Sequence, residues 1–398
     1  MASNSNNILY IARDIERALG KVPKDNYYVM TNSNSYSKEI KTLYPEKIIL
    51  IESNEILDTH ELLNLPEVTE LINKLNAEIL VFKNTVQIEK ICKEKGWKLL
   101  NPSAELAEKI ENKISQIKWL GDLSSLLPPH KVLLTKDIKW NKEVFILQWS
   151  HGHTGDGTIL IQNEANLNLI KEKFPNREAR ITDFIKGPMF TVNIVTTKTV
   201  TLLGNISYQI TGMLPFTENT FSTIGNDWSL THTILDENHI KQFEIIAQKI
   251  AAKMQKDGWL GLFGIDIIFD EEKNMMHLIE INARQPASTT FESKLQTILH
   301  SQGVPGISTF EAHLNALQNL PISSSLIPIN DGAQILQRLT SKFSKIDFKK
   351  LIESGYNLIK YDNIKLNSDI LRIQSMQGIM ETHNKFNERG KKIIESLL

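Results

Sequence analysis

The chain has 398 residues, 41% of them hydrophobic, enough for cores in roughly two to four subdomains. Its 45 basic and 46 acidic side chains nearly cancel, so no basic surplus points to nucleic acid and no acidic tail is present. The lone cysteine, Cys92, excludes a disulfide framework and a multi-cysteine zinc site and fits a reducing cytoplasm; the polar start MASNSNN has no signal-peptide pattern, and the longest apolar run, Trp259 to Phe269, is too short to span a membrane and carries Asp266.

Residues 1 to about 102 alternate β-branched or aromatic runs with helical pieces. The runs are Asn7–Ala12, Tyr27–Thr31, Lys47–Ile51 and Ala77–Phe82; helical periods fall at Glu67–Leu75 and Val86–Lys95. That alternation predicts a small parallel α/β unit. No GxGxxG follows the first run, so a dinucleotide site is unsupported. The unit either contributes to a substrate site or is a scaffold layer.

Ser103 is an N-cap candidate, and Leu106, Ile110, Ile114 and Ile117 follow at helical spacing. Lys113 lies on this segment, where a lysine is ordinarily a solvated face residue. Next, Val144–Leu147 and Ile159–Ile161 read as strands around a loop carrying Gly152, Gly155 and Gly157. Glycines let a backbone approach a phosphate and present N–H groups to it. The flanks are strand–loop–strand without Gly-Lys-Ser/Thr, so this is not a P-loop. An ordinary long hairpin loop is the alternative. His151 and His153 form a His-x-His with no third His or Cys nearby to complete a zinc site.

Ala179–Thr196 reads as an apolar connection into a further strand, and Val200–Ile210 as one more. The loop Thr211 to Trp228, with Phe216, Phe221, Gly225 and Asp227, is long enough to be functional. Gln209 and Thr211 are candidate substrate contacts there; the alternative is a loop that packs beneath the site. Asp236 is placed to cap a helix with an apolar face of Ile240, Phe243, Ala247, Ile250 and Met254, ended by Gly258.

The stretch that follows, GWLGLFGIDIIFDEEKNMMHLIEINAR, holds two apolar runs with an acid in each. Two-residue alternation predicts strands, and a hairpin centred on Lys273 sets Asp266 opposite Glu280. Opposed Cβ atoms lie roughly 5 Å apart. Two carboxylates at that distance repel by about 3 kcal/mol at an effective dielectric near 20, so a cation is expected between them. Oxygen donors from Asp266, Glu280 and the Asn282 amide suit Mg²⁺. Beyond Arg284 come a Ser/Thr-rich turn, a helix at Glu311–Leu317 and a composition break at Pro321–Asn330. GAQILQRLT and ILRIQSMQG then read as strands, and Gly378–Leu398 as a closing helix with Ile379, Phe386, Ile393 and Leu397 inward.

An acid in an apolar strand, a second acid about fourteen residues on, then Asn and Arg two and four positions further, resembles the ATP-grasp superfamily, whose closing strands carry this acid and Glu-x-Asn-x-Arg. The resemblance implies a mixed α/β and α+β protein. Residues 1–102 would be a preATP-grasp, Rossmann-like domain. Residues 103–320 would be the ATP-grasp domain, with a small lobe at about 103–182 and a large lobe at about 183–320. Residues 321–398 would form a small C-terminal α+β domain similar to that of the biotin-carboxylase-like branch.

The resemblance also assigns roles. Lys113 would contact nucleotide phosphates, and the loop with Gly155 and Gly157 would cover the triphosphate. Backbone groups at Asp183, Phe184 and Ile185 would meet the adenine. Asp266, Glu280 and Asn282 would hold Mg²⁺, with Mn²⁺ as an alternative, and Arg284 would meet an acylphosphate or a substrate carboxylate. Two positions depart from the family: Gln148 stands where a second phosphate lysine is usual, and Met189 replaces an acid. Arg338 could reach a substrate carboxylate, although a lone strand arginine is more often a surface residue. The implied reaction is ATP-dependent joining of a small-molecule carboxylate and an amine, in the cytoplasm, by a chain that could be a homodimer. The alternatives are an ATP-dependent carboxylase acting on bicarbonate, against which no biotin-carrier region is marked, and a nucleotide-binding regulatory protein with lost chemistry.

Overall fold

The computed structural model describes residues 6–150, 157–343 and 345–397. The strands Ile48–Ile51, Tyr27–Asn32, Ile8–Ala12 and Glu78–Val81 form a parallel sheet in that spatial order, each within an expected run except the second, which extends one residue past Thr31. Ile8–Ala12 is buried throughout, as a central parallel strand covered on both faces must be. One face packs under the helices Pro66–Leu75 and Val86–Glu94. The other meets Phe310 and Leu314 of the helix Thr309–Leu317, which ties this sheet to the rest of the molecule. Tyr10 reinforces that junction by donating its hydroxyl to Gln285 Oε1 at 2.8 Å.

Ser103 caps the next helix, its Oγ accepting from the Leu106 amide. The continuous helix expected through Ile117 is not formed. Ala104–Glu111 ends at Asn112, and a second helix begins at Ser115. Asn112 Oδ1 accepts from the amides of Ile114 and Ser115, a local alternative to the helix ladder that Asn readily offers. The break removes Lys113 from a solvated helix face and turns it inward, only 6% exposed.

A four-stranded antiparallel sheet follows, in the order His130–Leu134, Glu178–Asp183, Phe145–Trp149, Thr158–Ile161. Beyond it lies a nine-stranded sheet. Its spatial order is Met275–Asn282, Gly261–Asp270, Met189–Thr196, Ser207–Thr211, Thr223–Asp227, Ala333–Arg338, Asp369–Ser375, Asn357–Lys360, with Thr201–Leu203 beside Met189–Thr196. The C-terminal strands therefore continue the same nine-stranded sheet through the antiparallel pairing of Thr223–Asp227 with Ala333–Arg338. The capped helix Glu237–Lys256 packs behind Met275–Asn282 and buries Phe243, Ala247, Ile250 and Met254 as expected.

Three further expectations are corrected. Val200–Ile210 is two strands, Thr201–Leu203 and Ser207–Thr211; between them the Gly204 amide donates to the Asn193 carbonyl at 2.8 Å, where a Cβ would lie 2.3 Å from that oxygen. The loop after Thr211 contains the strand Thr223–Asp227, and it both packs and lines: Phe216 is buried in the main core, while Phe221 faces the cleft. The closing helix is only Glu388–Glu395. Before it, Met380–Thr382 and Lys385–Phe386 form a short hairpin turned at Asn384, whose φ of 57° lies in the left-handed region that Asn tolerates. Among the described residues, no helix is long and apolar enough to cross a membrane.

Candidate active site

The hairpin Gly261–Asp270/Met275–Asn282 places Asp266 directly opposite Glu280. One step on, Ile267 faces Leu278, so Ile279 is an extra residue bulged from the ladder. Bulges re-aim their neighbours. Here the Ile279 carbonyl becomes free to accept from Arg180 Nη2 at 3.4 Å.

Each carboxylate has its own partners. Asp266 Oδ1 accepts from Gln209 Nε2 at 2.6 Å, and Oδ2 from Asn282 Nδ2 at 3.1 Å. Glu280 Oε1 lies 2.6 Å from Lys113 Nζ. Burial, reinforced by the Glu280 charge, pushes the Asp266 carboxyl up to about 6. Burial also pushes Glu280 up, but Lys113, with help from Arg284 and Arg180, outweighs it and holds the carboxyl below its usual range. Burial pulls the Lys113 ammonium down, and Glu280 opposes that. Lys113 is thus the side-chain cation that stands beside the acid pair.

These groups floor a cleft of about 580 Å³. Arg284 lines it, with Nε 3.2 Å from Glu111 Oε1 and Nη2 donating to Asn282 Oδ1 at 2.8 Å. Lys83, from the loop after Glu78–Val81, reaches the same wall and meets Glu111 Oε2 at 2.5 Å. The N-terminal unit therefore contributes side chains to the cleft. Thr211 also lines it, with its buried Oγ1 unpartnered among the described residues. Gln209 lines the cleft too, but its amide is committed to Asp266 and to Thr223 Oγ1. Arg338 lines neither this cleft nor its neighbour. Its guanidinium pairs with Asp369 at 3.3 Å and with Ser222, which anchors the 212–222 loop.

A second, smaller cavity of about 90 Å³ lies against the connection between the two sheets. Asp183, Phe184 and Ile185 line it together with Ile146 and Ile268. Gly187 fixes this connection against the hairpin, since a Cβ there would lie 1.9 Å from the Phe269 carbonyl oxygen. Gln148, Thr158, Met189, Phe221 and Ile279 line both cavities and form the waist between them. Gly157 opens the strand Thr158–Ile161, its carbonyl accepting from the Trp149 amide at 2.9 Å. Gly152 and Gly155, with His151 and His153, lie outside the described residues.

Sequence reasoning missed Arg180, Lys83 and Glu111. Strand alternation in ARITD separates Arg180 from its apolar neighbours, but nothing local says that it pairs with Gln148. Lys83 and Glu111 sit at element ends, where composition carries no directional signal.

The donor set suits a hard divalent cation. Two opposed carboxylates, one of them with a raised pKa, plus an amide give oxygen ligands without a complete shell, which matches an ion that keeps waters and substrate phosphates. Among the described residues, no three His, Cys, Asp or Glu side chains cluster, so an all-protein cage is absent there. Asn282 Nδ2 donates to Asp266, while its Oδ1 accepts from Arg284.

A family model described as the ATP-grasp domain matches residues 110–288. The chain carries an ATP-grasp domain. That match spans Lys113, the glycine-containing stretch 152–157, the connection at 183–188 and the acid hairpin. No curated protein matches the sequence. Among solved structures, N5-carboxyaminoimidazole synthetase from Staphylococcus aureus superposes with a TM-score of 0.66 at 13% identity, covering 99% of this chain and 97% of that one. N5-carboxyaminoimidazole synthase from Aspergillus clavatus, solved with ADP and 5-aminoimidazole ribonucleotide, gives 0.66 at 14% identity over 98% of each chain. Biotin carboxylase from Campylobacter jejuni gives 0.63 at 15% identity, over 99% of this chain and 92% of that one. Such likenesses carry the fold, and they extend it beyond the ATP-grasp domain to the N-terminal sheet and the C-terminal strands.

Proposed function

We propose that this chain is an ATP-dependent ligase that joins a small-molecule carboxylate to an amine through an acylphosphate. The observation that carries the reading is Asp266 opposite Glu280, with Lys113 on one side and Arg284 on the other, at the floor of the cleft. The base of ATP enters the smaller cavity, where Ile146, Ile185 and Ile268 offer apolar walls and the 183–185 backbone offers donors and acceptors. The triphosphate crosses the waist toward the carboxylates.

Mg²⁺ held by Asp266, Glu280 and Asn282 would offset phosphate charge. With Glu280 engaged there, Lys113 would exchange its carboxylate partner for phosphate oxygens. A carboxylate oxygen of the substrate attacks the γ-phosphorus. The bond to the β,γ-bridging oxygen breaks, and ADP leaves with that electron pair. Arg284, fixed by Glu111 and Asn282, orients the carboxylate and then the acylphosphate, a task suited to a planar cation. The amine nitrogen attacks the acyl carbon, the carbon–oxygen bond to phosphate breaks, and the nitrogen loses a proton. Catalysis of this kind is mainly positioning and electrostatics.

The whole-chain likeness to N5-carboxyaminoimidazole synthetases favours one second reading, in which the acid is bicarbonate and the product a carbamate. The test is ADP release against pooled carboxylic acids and amines, with and without added bicarbonate. A requirement for both an organic acid and an amine supports the ligase. A requirement for bicarbonate and an amine transfers the assignment to the carboxylase. Tight Mg·ATP binding with no release from any pool points instead to a regulatory protein.

A further inference from the structure

Arg180 lies in the strand Glu178–Asp183 directly opposite Gln148, one residue from the end of Phe145–Trp149. It is 2% exposed, one of the largest fully buried side chains of the protein. Its Nε and Nη2 both donate to Gln148 Oε1, at 2.9 and 2.6 Å. Nη1 donates to Gln116 Oε1 at 3.2 Å, and Nη2 also reaches the Ile279 carbonyl at 3.4 Å. A buried guanidinium is costly to desolvate, and no carboxylate is bonded to it among the described residues. Burial pulls its pKa down to about 10, so it stays charged at neutral pH.

The location gives that charge a use. None of the five residues at the waist between the cavities carries a charge: they are Gln148, Thr158, Met189, Phe221 and Ile279. If base and reacting phosphate occupy the two cavities, the α- and β-phosphates must pass this waist. Arg180 bonds two of the five waist residues, and it lines the smaller cavity itself. By holding Gln148 Oε1 with two donors, it also sets which way that amide faces. Oε1 points to the guanidinium, and Nε2 is left on the side of Thr158, 3.4 Å from its Oγ1.

We propose that Arg180 and Gln148 act as one unit that binds the nucleotide's α- and β-phosphates, Arg180 supplying the charge and positioning Gln148 Nε2 as the donor. The ligand class is a nucleoside di- or triphosphate, and the assignment rests on the ATP reading above. A lysine at the strand end would combine charge and donor in one side chain. Here they are divided between neighbouring strands.

The test is calorimetric titration of the full chain with Mg·ADP and, separately, with adenosine, which has the base but no phosphate. Arg180→Met is expected to weaken Mg·ADP by about 10–100-fold, roughly the loss of one charged contact, while adenosine changes less than about twofold. Gln148→Leu, at the cavity wall, should show the same selective loss. In the double variant Q148K/R180M the cation returns on the other strand, and Mg·ADP affinity is expected within about threefold of wild type. The double variant carries the test if Arg180→Met alone does not fold. Equal weakening of adenosine and Mg·ADP, or a folded double variant still more than about tenfold weak for Mg·ADP alone, overturns the assignment. A wild-type chain that binds neither ligand overturns the ATP reading itself, and this one with it.

Discussion

Lys113 Nζ lies 2.6 Å from Glu280 Oε1, so a side-chain ammonium stands beside one of the two opposed carboxylates proposed to hold a divalent ion. The contact depends on the helix break at Asn112, which turns Lys113 inward.

Replacing Lys113 by Met should therefore destabilise the metal-free protein more than the metal-loaded one. Lys113 is buried but the Glu280 side chain is 33% exposed, so breaking the pair should cost less than the roughly 3 kcal/mol of a fully buried one, and at about 2–4 °C per kcal/mol the melting temperature should fall by no more than about 12 °C. Millimolar Mg²⁺ should recover much of that loss in the variant and change wild type little. Thermal melts with Mg²⁺ and with chelator give the comparison; an equal deficit in both would argue against the exchange.

Asp266 predicts a pH dependence. Its folded-state pKa, about 6, lies above its ordinary value of 3.8, so the folded state binds the proton more tightly than the unfolded chain. The carboxyl then penalises folding once it must ionise: stability falls as pH rises from about 4 through about 6, and the penalty is complete above that. The shift corresponds to at most about 3 kcal/mol. Asp266→Asn should accordingly stabilise the metal-free protein at pH 7–8 and leave it unchanged near pH 3.5. Denaturant titrations at the two pH values, in chelator, would contradict this if the gain persisted in acid.

Glu280→Ala should abolish ADP release, by about 10²–10³-fold or more, the scale for loss of a main electrostatic group, with the fold retained by circular dichroism. Near-normal release with a confirmed substrate would sink the assignment of Glu280 to the metal. Excess chelator should silence wild type in the same assay.

Arg284→Lys keeps the charge but loses the fork that meets Glu111 and Asn282 together. KM for the carboxylate should rise by about tenfold or more, with Mg·ADP affinity unchanged, since the two are bound at different parts of the cleft. A loss of nucleotide affinity instead would move Arg284 to the phosphates.

Strand alternation and a hairpin centred on Lys273 predicted Asp266 opposite Glu280; the turn is in fact centred between Glu272 and Lys273, and the pairing arises because the Ile279 bulge shifts the register by one residue. The same logic located the four strands of the N-terminal sheet and the Asp236-capped helix. It failed where a regular element breaks: at Asn112, between Leu203 and Ser207, and at Asn384. The sequence alone thus determined the ATP-grasp pattern and the acids, amide and arginine at its floor, because those signals are local in spacing. Only the tertiary structure decided that Lys113 faces Glu280, that Lys83 and Glu111 wall the cleft, that Arg338 is spent on Asp369 and Ser222, and that Arg180 stands behind Gln148. Those pairings join residues far apart in the chain, and strand neighbours and loop ends acquire their partners only when the sheets assemble.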